Sequence, residues 1–201
     1  MSDDARLLAA FRSIDDANAR DPRAVDVDGC PVPANLIYGQ RMSEELARFA
    51  PEASIPLQIA ARGQHIERWI IPRSAYPMTR PGYHQWRRQL REHHAKRLAE
   101  ILAPIGYGDE TIHRVGEIVR KTRPKEDAEV QTLEDVICIV FMKYELNAFA
   151  PKYAQDPDKL ADILAKTWGK MSDAGHEAIL ALSPAPEVVA LLQKGLARLQ
   201  G

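Results

Sequence analysis

Apolar residues recur at three- and four-residue steps along almost the whole chain, and no stretch of useful length alternates as a half-buried strand would. That pattern restricts the fold to packed helices. Leu7, Leu8, Phe11 and Ile14 mark a helix over 4–19. Tyr38, Met42, Leu46 and Phe49 mark a second that ends before Pro51, and Ile55, Ile59, Ile66 and Ile70 a third that ends before Pro72. A long helix is expected over 82–103, stopped by Gly106 in a left-handed conformation. Asp109 caps the next, which carries Ile112, Val115, Ile118 and Val119. The period breaks over 122–127 and resumes over 131–148. Asp156-Pro157 and Ser183-Pro184 read as cap-then-proline starts, with a further helix from Ser172. Residues 21–33, rich in Pro, Asp and Gly, are the one stretch that resembles a linker. The expectation is an all-α fold with one domain over 1–201.

Composition bounds the class. With 201 residues, 45% hydrophobic and 27% charged, the chain can bury a sizeable core. A net charge of −1 argues against extended nucleic-acid contact and against attraction to an anionic membrane. No apolar run approaches the roughly 20 residues that span a bilayer. Cys30 and Cys138 are far apart and form no CxxC pair, which suits a reducing cytoplasm. Homo-oligomerisation is left open. Any anion-binding function must come from a local cluster.

Such a cluster lies between Gln64 and His94. This stretch holds His65, His84, His93 and His94, the arginines Arg68, Arg73, Arg80 and Arg87, and Trp69, Tyr76, Tyr83 and Trp86. Arginine beside Tyr and Trp offers cation–π and phosphate-binding geometry, and neutral histidine is the commonest metal ligand. On the long helix Trp86, Leu90, Leu98, Ile101 and Leu102 set the apolar stripe, and His94 falls four residues from both Leu90 and Leu98. It therefore points inward. Arg87 and Arg91 fall on or beside the same stripe and need an anion or a carboxylate there.

The segment Leu133-Glu134-Asp135-Val136-Ile137-Cys138-Ile139-Val140-Phe141-Met142 is apolar almost all round, so it should be a buried helix interrupted by two carboxylates. A buried carboxylate is paired, ligates a metal or stays protonated. The plain alternative is a carboxylate near a helix N-terminus, stabilised by the dipole. His65 taken alone is a boundary residue. With His94 and Glu134 or Asp135 it makes an imidazole-and-carboxylate set on separate helices, the way helical proteins build divalent metal sites.

Read helix by helix, Ala60-Ala61-Arg62-Gly63-Gln64-His65-Ile66 and Thr132-Leu133-Glu134-Asp135-Val136-Ile137 resemble the His-Asp helix end and the closing aspartate segment of the HD-domain metal-dependent phosphohydrolases. His94 stands where two-metal members carry an extra histidine. The resemblance covers about 36–149 and implies an HD-like helical bundle with extra N- and C-terminal helices. It departs from the pattern at Ile66, which replaces the pair's aspartate, and at Tyr38-Gly39-Gln40-Arg41-Met42, which lacks the first histidine. A single divalent ion (Mn, Fe, Co, Ni or Zn) would then rest on His65, His94 and Asp135, helped by Gln40 or Glu134. More closely, the "QHIERW", "IPR", "YP", "GY" and "HHA" runs, with "LEDV" and "KTWGKMS", resemble a bacterial and fungal family described as a domain of unknown function and sometimes labelled glutamyl-tRNA synthetase. His65-Ile66 and Lys170-Met171-Ser172 echo synthetase motifs, but in helical sequence without their α/β context.

The leading expectation is a metal-dependent hydrolase of a small phosphorylated or nucleotide-like metabolite. Arg68, Arg73, Tyr76, Arg80, Tyr83, Lys121 and Lys125 would hold the substrate, Arg87 would stabilise transition-state charge, and Glu134 or Glu67 would act as general base. The alternatives are an HD-like non-haem iron oxygenase, or a non-catalytic module that binds a nucleotide or RNA.

Overall fold

The computed structural model describes residues 2–123 and 126–200. The chain divides into two compact units, Met1–Leu133 and Glu134–Gly201. The fold is all-α, as the periodicity requires, with one small exception in the first unit.

The first unit holds α1 (Asp3–Asn18), β1 (Ala24–Val27), β2 (Cys30–Pro33), α2 (Ala34–Phe49), α3 (Ile55–Gly63), α4 (Arg80–Ile105) and α5 (Asp109–Arg120). α6 (Ala128–Val140) contains the division between the units. Short polar side chains start the helices: Ser2 Oγ accepts from the Ala5 amide, Ser54 Oγ from Leu57 and Thr79 Oγ1 from Gly82. Gly106 closes α4 at φ +91°, as its position after Ile105 suggests. Gly108, rather than Asp109, occupies the cap of α5, and Asp109 and Glu110 fill its first turn, where their charge suits the helix dipole.

α3 packs on α2 and α5, α4 on α5, and α1 lies against α3 and α4. Ile14, Met42, Ile59, Ile66, Leu98, Leu102 and Ile118 are fully buried in this unit. The end of α3 approaches α4 so closely that a Cβ at Gly63 would stand 2.4 Å from Leu98 Cδ2. Glycine there is a packing requirement.

Two departures from the periodicity have physical causes. Residues 24–33, read as a linker, pair as an antiparallel hairpin with Val25 opposite Val32 and Val27 opposite Cys30. Its turn is Asp28-Gly29, both at positive φ (53° and 81°), the dipeptide that two-residue hairpins favour. The third helix stops at Gly63 instead of running to Ile70. Beyond it Glu67 turns left-handed (φ 48°), and the chain continues in two 3-10 turns, Arg68–Ile70 and Arg73–Ala75. Side chains from elsewhere capture the backbone here: Asn35 Nδ2 donates to the His65 carbonyl at 2.9 Å, and Asn18 Oδ1 accepts from the Glu67 amide at 3.0 Å.

The second unit holds α7 (Leu146–Phe149), α8 (Pro157–Trp168), α9 (Asp173–Ala181) and α10 (Pro186–Gln200). The helix expected over 131–148 is continuous to Val140 and then widens into a π turn, Phe141–Glu145. Asp156 caps α8 through the Lys159 amide. α10 starts at Pro186, later than the Ser183-Pro184 pair suggests, because Ser183 is left-handed (φ 51°). Leu146, Leu160 and Leu164 form the core with Phe141, Phe149, Val188, Leu191 and Leu192 around them. Among the described residues no helix is long and apolar enough to cross a membrane.

Candidate functional site

A small pocket opens in the first unit where the end of α3, the middle of α4 and the end of α5 meet. Gln64 and His65 come from the turn after α3, Arg68 from the first 3-10 turn, Arg87, Leu90, Arg91 and His94 from successive turns of α4, and Val119 and Lys121 from the end of α5. The spacing of 87, 90, 91 and 94 places these side chains on one helical face. Lys121 is presented by a left-handed C-terminal residue (φ 59°), which turns the chain out of α5. The enclosed space is about 10 Å³, room for about one water, and the cleft reaches about 230 Å³ only when its open mouth is counted.

Among the described residues that line it, four are cations and none is a carboxylate. Arg68 is largely buried. Its pKa is lowered to about 10, first by burial and then by repulsion from Arg87. Its guanidinium lies 4.9 Å from the Trp86 ring centroid, and Nη1 donates to His65 Nε2 at 2.7 Å. Arginine cannot accept, so His65 Nε2 carries a lone pair and the ring is neutral. Burial, followed by Arg68, holds the His65 pKa well below the usual imidazole value. The ring stacks on Tyr38 at 4.2 Å, and the Tyr38 hydroxyl donates to Gln64 Oε1 at 3.2 Å.

His94 is 3% exposed. Its Nδ1 donates to the Ile66 carbonyl at 2.7 Å, since a carbonyl can only accept. Burial, then His93 and Arg68, push its pKa down to about 3. Nε2 therefore keeps a lone pair, and it is buried with no hydrogen-bond partner among the described residues. Neither Arg68 nor Arg87 has a carboxylate partner among the described residues. Arg68 and Arg87 thus bring positive charge to the pocket, with two neutral imidazoles in its wall.

The structure brings together His65, Arg68, Arg87, His94 and Lys121 of the expected site. Glu67 does not line the pocket; it is buried and paired with Arg97 Nε at 2.8 Å. Arg73 staples its own loop by donating to the carbonyls of Tyr76 at 3.0 Å and Pro77 at 2.8 Å. Tyr76, Arg80 and Tyr83 lie outside the lining as well; Arg80 is exposed at the start of α4, and Tyr83 is exposed with its ring 5.8 Å from Trp86. Glu134 and Asp135 belong to the second unit. Asp135 is buried, and its two carboxylate oxygens accept from the Ser172 amide at 2.8 Å and the Ser172 hydroxyl at 2.7 Å, anchoring the start of α9. Lys125 lies outside the described residues.

Among the described residues no three His, Cys, Asp or Glu side chains are grouped to hold a metal ion. His65 Nε2 is engaged by Arg68, and the other side chains that line the pocket with His94 are cationic, amide or apolar. Sequence reasoning gave no role in the site to Gln64 or Tyr38. The clue was spacing, since Tyr38 sits at a stripe position of α2 with a hydroxyl that must find a partner when buried.

No curated protein and no solved structure matches the chain. The family model described as "Domain of unknown function (DUF4202)" matches residues 8–192, and the chain belongs to that family.

Proposed function

We propose that this protein recognises the phosphoryl group of a small phosphorylated or nucleotide-like metabolite in the α3–α4–α5 pocket, and that hydrolysis of the phosphate ester is its activity. The observation that carries the reading is Arg68: a largely buried guanidinium with a depressed pKa, beside Arg87, with a neutral histidine as its hydrogen-bond partner. A dianion between Arg68 and Arg87 would relieve their mutual repulsion and accept forked hydrogen bonds from the guanidinium groups. The same cations would stabilise charge on the equatorial oxygens during phosphoryl transfer. The sequence resemblance to the HD-domain phosphohydrolases at His65, His94 and the 132–137 segment agrees with this substrate class. The reading needs no step through a metal.

A second reading, binding without turnover, is favoured by one feature: among the described residues no carboxylate lines the pocket to serve as a general base. Release of inorganic phosphate from a panel of sugar phosphates, nucleotides and acyl phosphates separates the two. Hydrolysis by the wild type, reduced at least tenfold in Arg87→Ala, is expected. Phosphate binding with no release from any member would leave the binding module, and no binding at all would remove both.

A further inference from the structure

His94 presents a nitrogen that phosphate recognition by the cations does not use. Its Nδ1–H is committed to the Ile66 carbonyl at 2.7 Å, which fixes the tautomer and leaves the lone pair on Nε2. That acceptor is itself rigid. Ile66 is fully buried, and the peptides on either side are held by Asn35 at the His65 carbonyl and by Asn18 at the Glu67 amide. Nε2 is shielded from bulk water and has no partner among the described residues, while His94 lines the same pocket as Arg68 and Arg87. A neutral imidazole of fixed tautomer, beside guanidinium groups suited to phosphoryl oxygens, is a nucleophile for phosphorus.

We propose that His94 Nε2 is the nucleophile of a two-step phosphoryl transfer, forming a phosphohistidine; this rests on the phosphate-binding reading above. In the first step the Nε2 lone pair forms an N–P bond as the P–O bond to the leaving group breaks, and the leaving oxygen takes a proton from water. Nδ1 keeps its proton, and the Ile66 carbonyl stabilises the positive charge that develops on the ring. In the second step water attacks phosphorus and gives its proton to the hydroxide left by the first step, the N–P bond breaks, Nε2 recovers its lone pair and inorganic phosphate leaves. The low basicity that burial imposes on His94 keeps the ring unprotonated at neutral pH, so the lone pair is available.

The test treats full-length protein with excess acetyl phosphate or phosphoramidate, quenches in alkali and maps the label by mass spectrometry. Calorimetric binding of inorganic phosphate runs in parallel for the wild type and His94→Asn, whose amide can still donate to Ile66. The expected result is one phosphoryl group on His94, stable in base and lost in mild acid, with no label on an Asn variant that still binds phosphate. If the wild type binds phosphate but carries no label, or carries it on another residue, the nucleophile proposal is overturned and phosphate recognition stands. If the wild type binds no phosphate, the recognition reading falls first. Mapping the wild-type label decides the matter even if His94→Asn does not fold.

Discussion

Arg68 carries a positive charge into a largely buried position beside a second arginine, and three contacts hold it there: the Trp86 ring, the His65 nitrogen and the turn that it belongs to. Each of these does something for its neighbours too. The charge of Arg68 lowers the basicity of both His65 and His94, after burial in the first case and after burial and His93 in the second. Arg68→Ala should therefore raise the pKa of both imidazoles, readable by NMR titration. It should also weaken phosphate binding by about 10–100-fold, the range for losing a charge-assisted hydrogen bond. An unchanged His94 titration in that variant would show that Arg68 is not electrostatically coupled to the pocket wall. At this scale the sequence was informative where helical phase decides direction. His94 and Arg87 could be placed inward because Leu90 and Leu98 define the stripe. Glu67 could not be placed, because its partner Arg97 lies thirty residues away on another helix and its own backbone is left-handed.

The elements are joined by contacts that tolerate little change. Gly63 ends α3 against the fully buried Leu98 of α4, and the turn that presents Gln64, His65 and Arg68 starts there. Gly63→Ala should destabilise the protein by about 1–3 kcal/mol, the usual cost of forcing a methyl group into a packed core. Urea unfolding would measure it, and a loss below about 0.5 kcal/mol would mean that the helices separate freely. The elements also show where sequence reading stops. Long, strongly periodic helices were legible with their caps, as at Asp156 and Gly106. The early end of α3 was not, because apolar residues at 66 and 70 continue the helical period while Asn18, Asn35 and His94 take the backbone groups that a helix would need. The hairpin was signalled by Asp28-Gly29, but Pro31 and Pro33 beside it weaken the strand pattern.

For the whole molecule, the histidines make stability depend on pH. The folded pKa of His94 is about 3 and that of His65 is well below its ordinary value, while both titrate near 6.5 when unfolded. Below about pH 6.5 the unfolded chain thus takes up protons that the folded chain refuses. Stability is full above that pH and falls as pH drops, by up to about 1.4 kcal/mol per pH unit for each such imidazole. Asp127 adds a lower window. Hydrogen bonds from Arg114 hold its pKa at about 2, so its contribution is present above about 3.8 and is lost as pH falls through 2. Urea midpoints should drop between pH 7 and pH 5, and His94→Asn should flatten that drop; equal midpoints would contradict neutral buried imidazoles. A bound phosphate dianion would oppose the same trend, because it favours the protonated rings.

The most direct test of the anion pocket is a calorimetric titration of inorganic phosphate into the full-length protein at neutral pH and low salt, repeated with Arg87→Gln. One saturable site that the variant weakens at least tenfold, with proton uptake that grows toward acid, is the expected outcome. Absence of binding in the wild type, or equal affinity in the two proteins, would contradict a phosphate site built on Arg68 and Arg87.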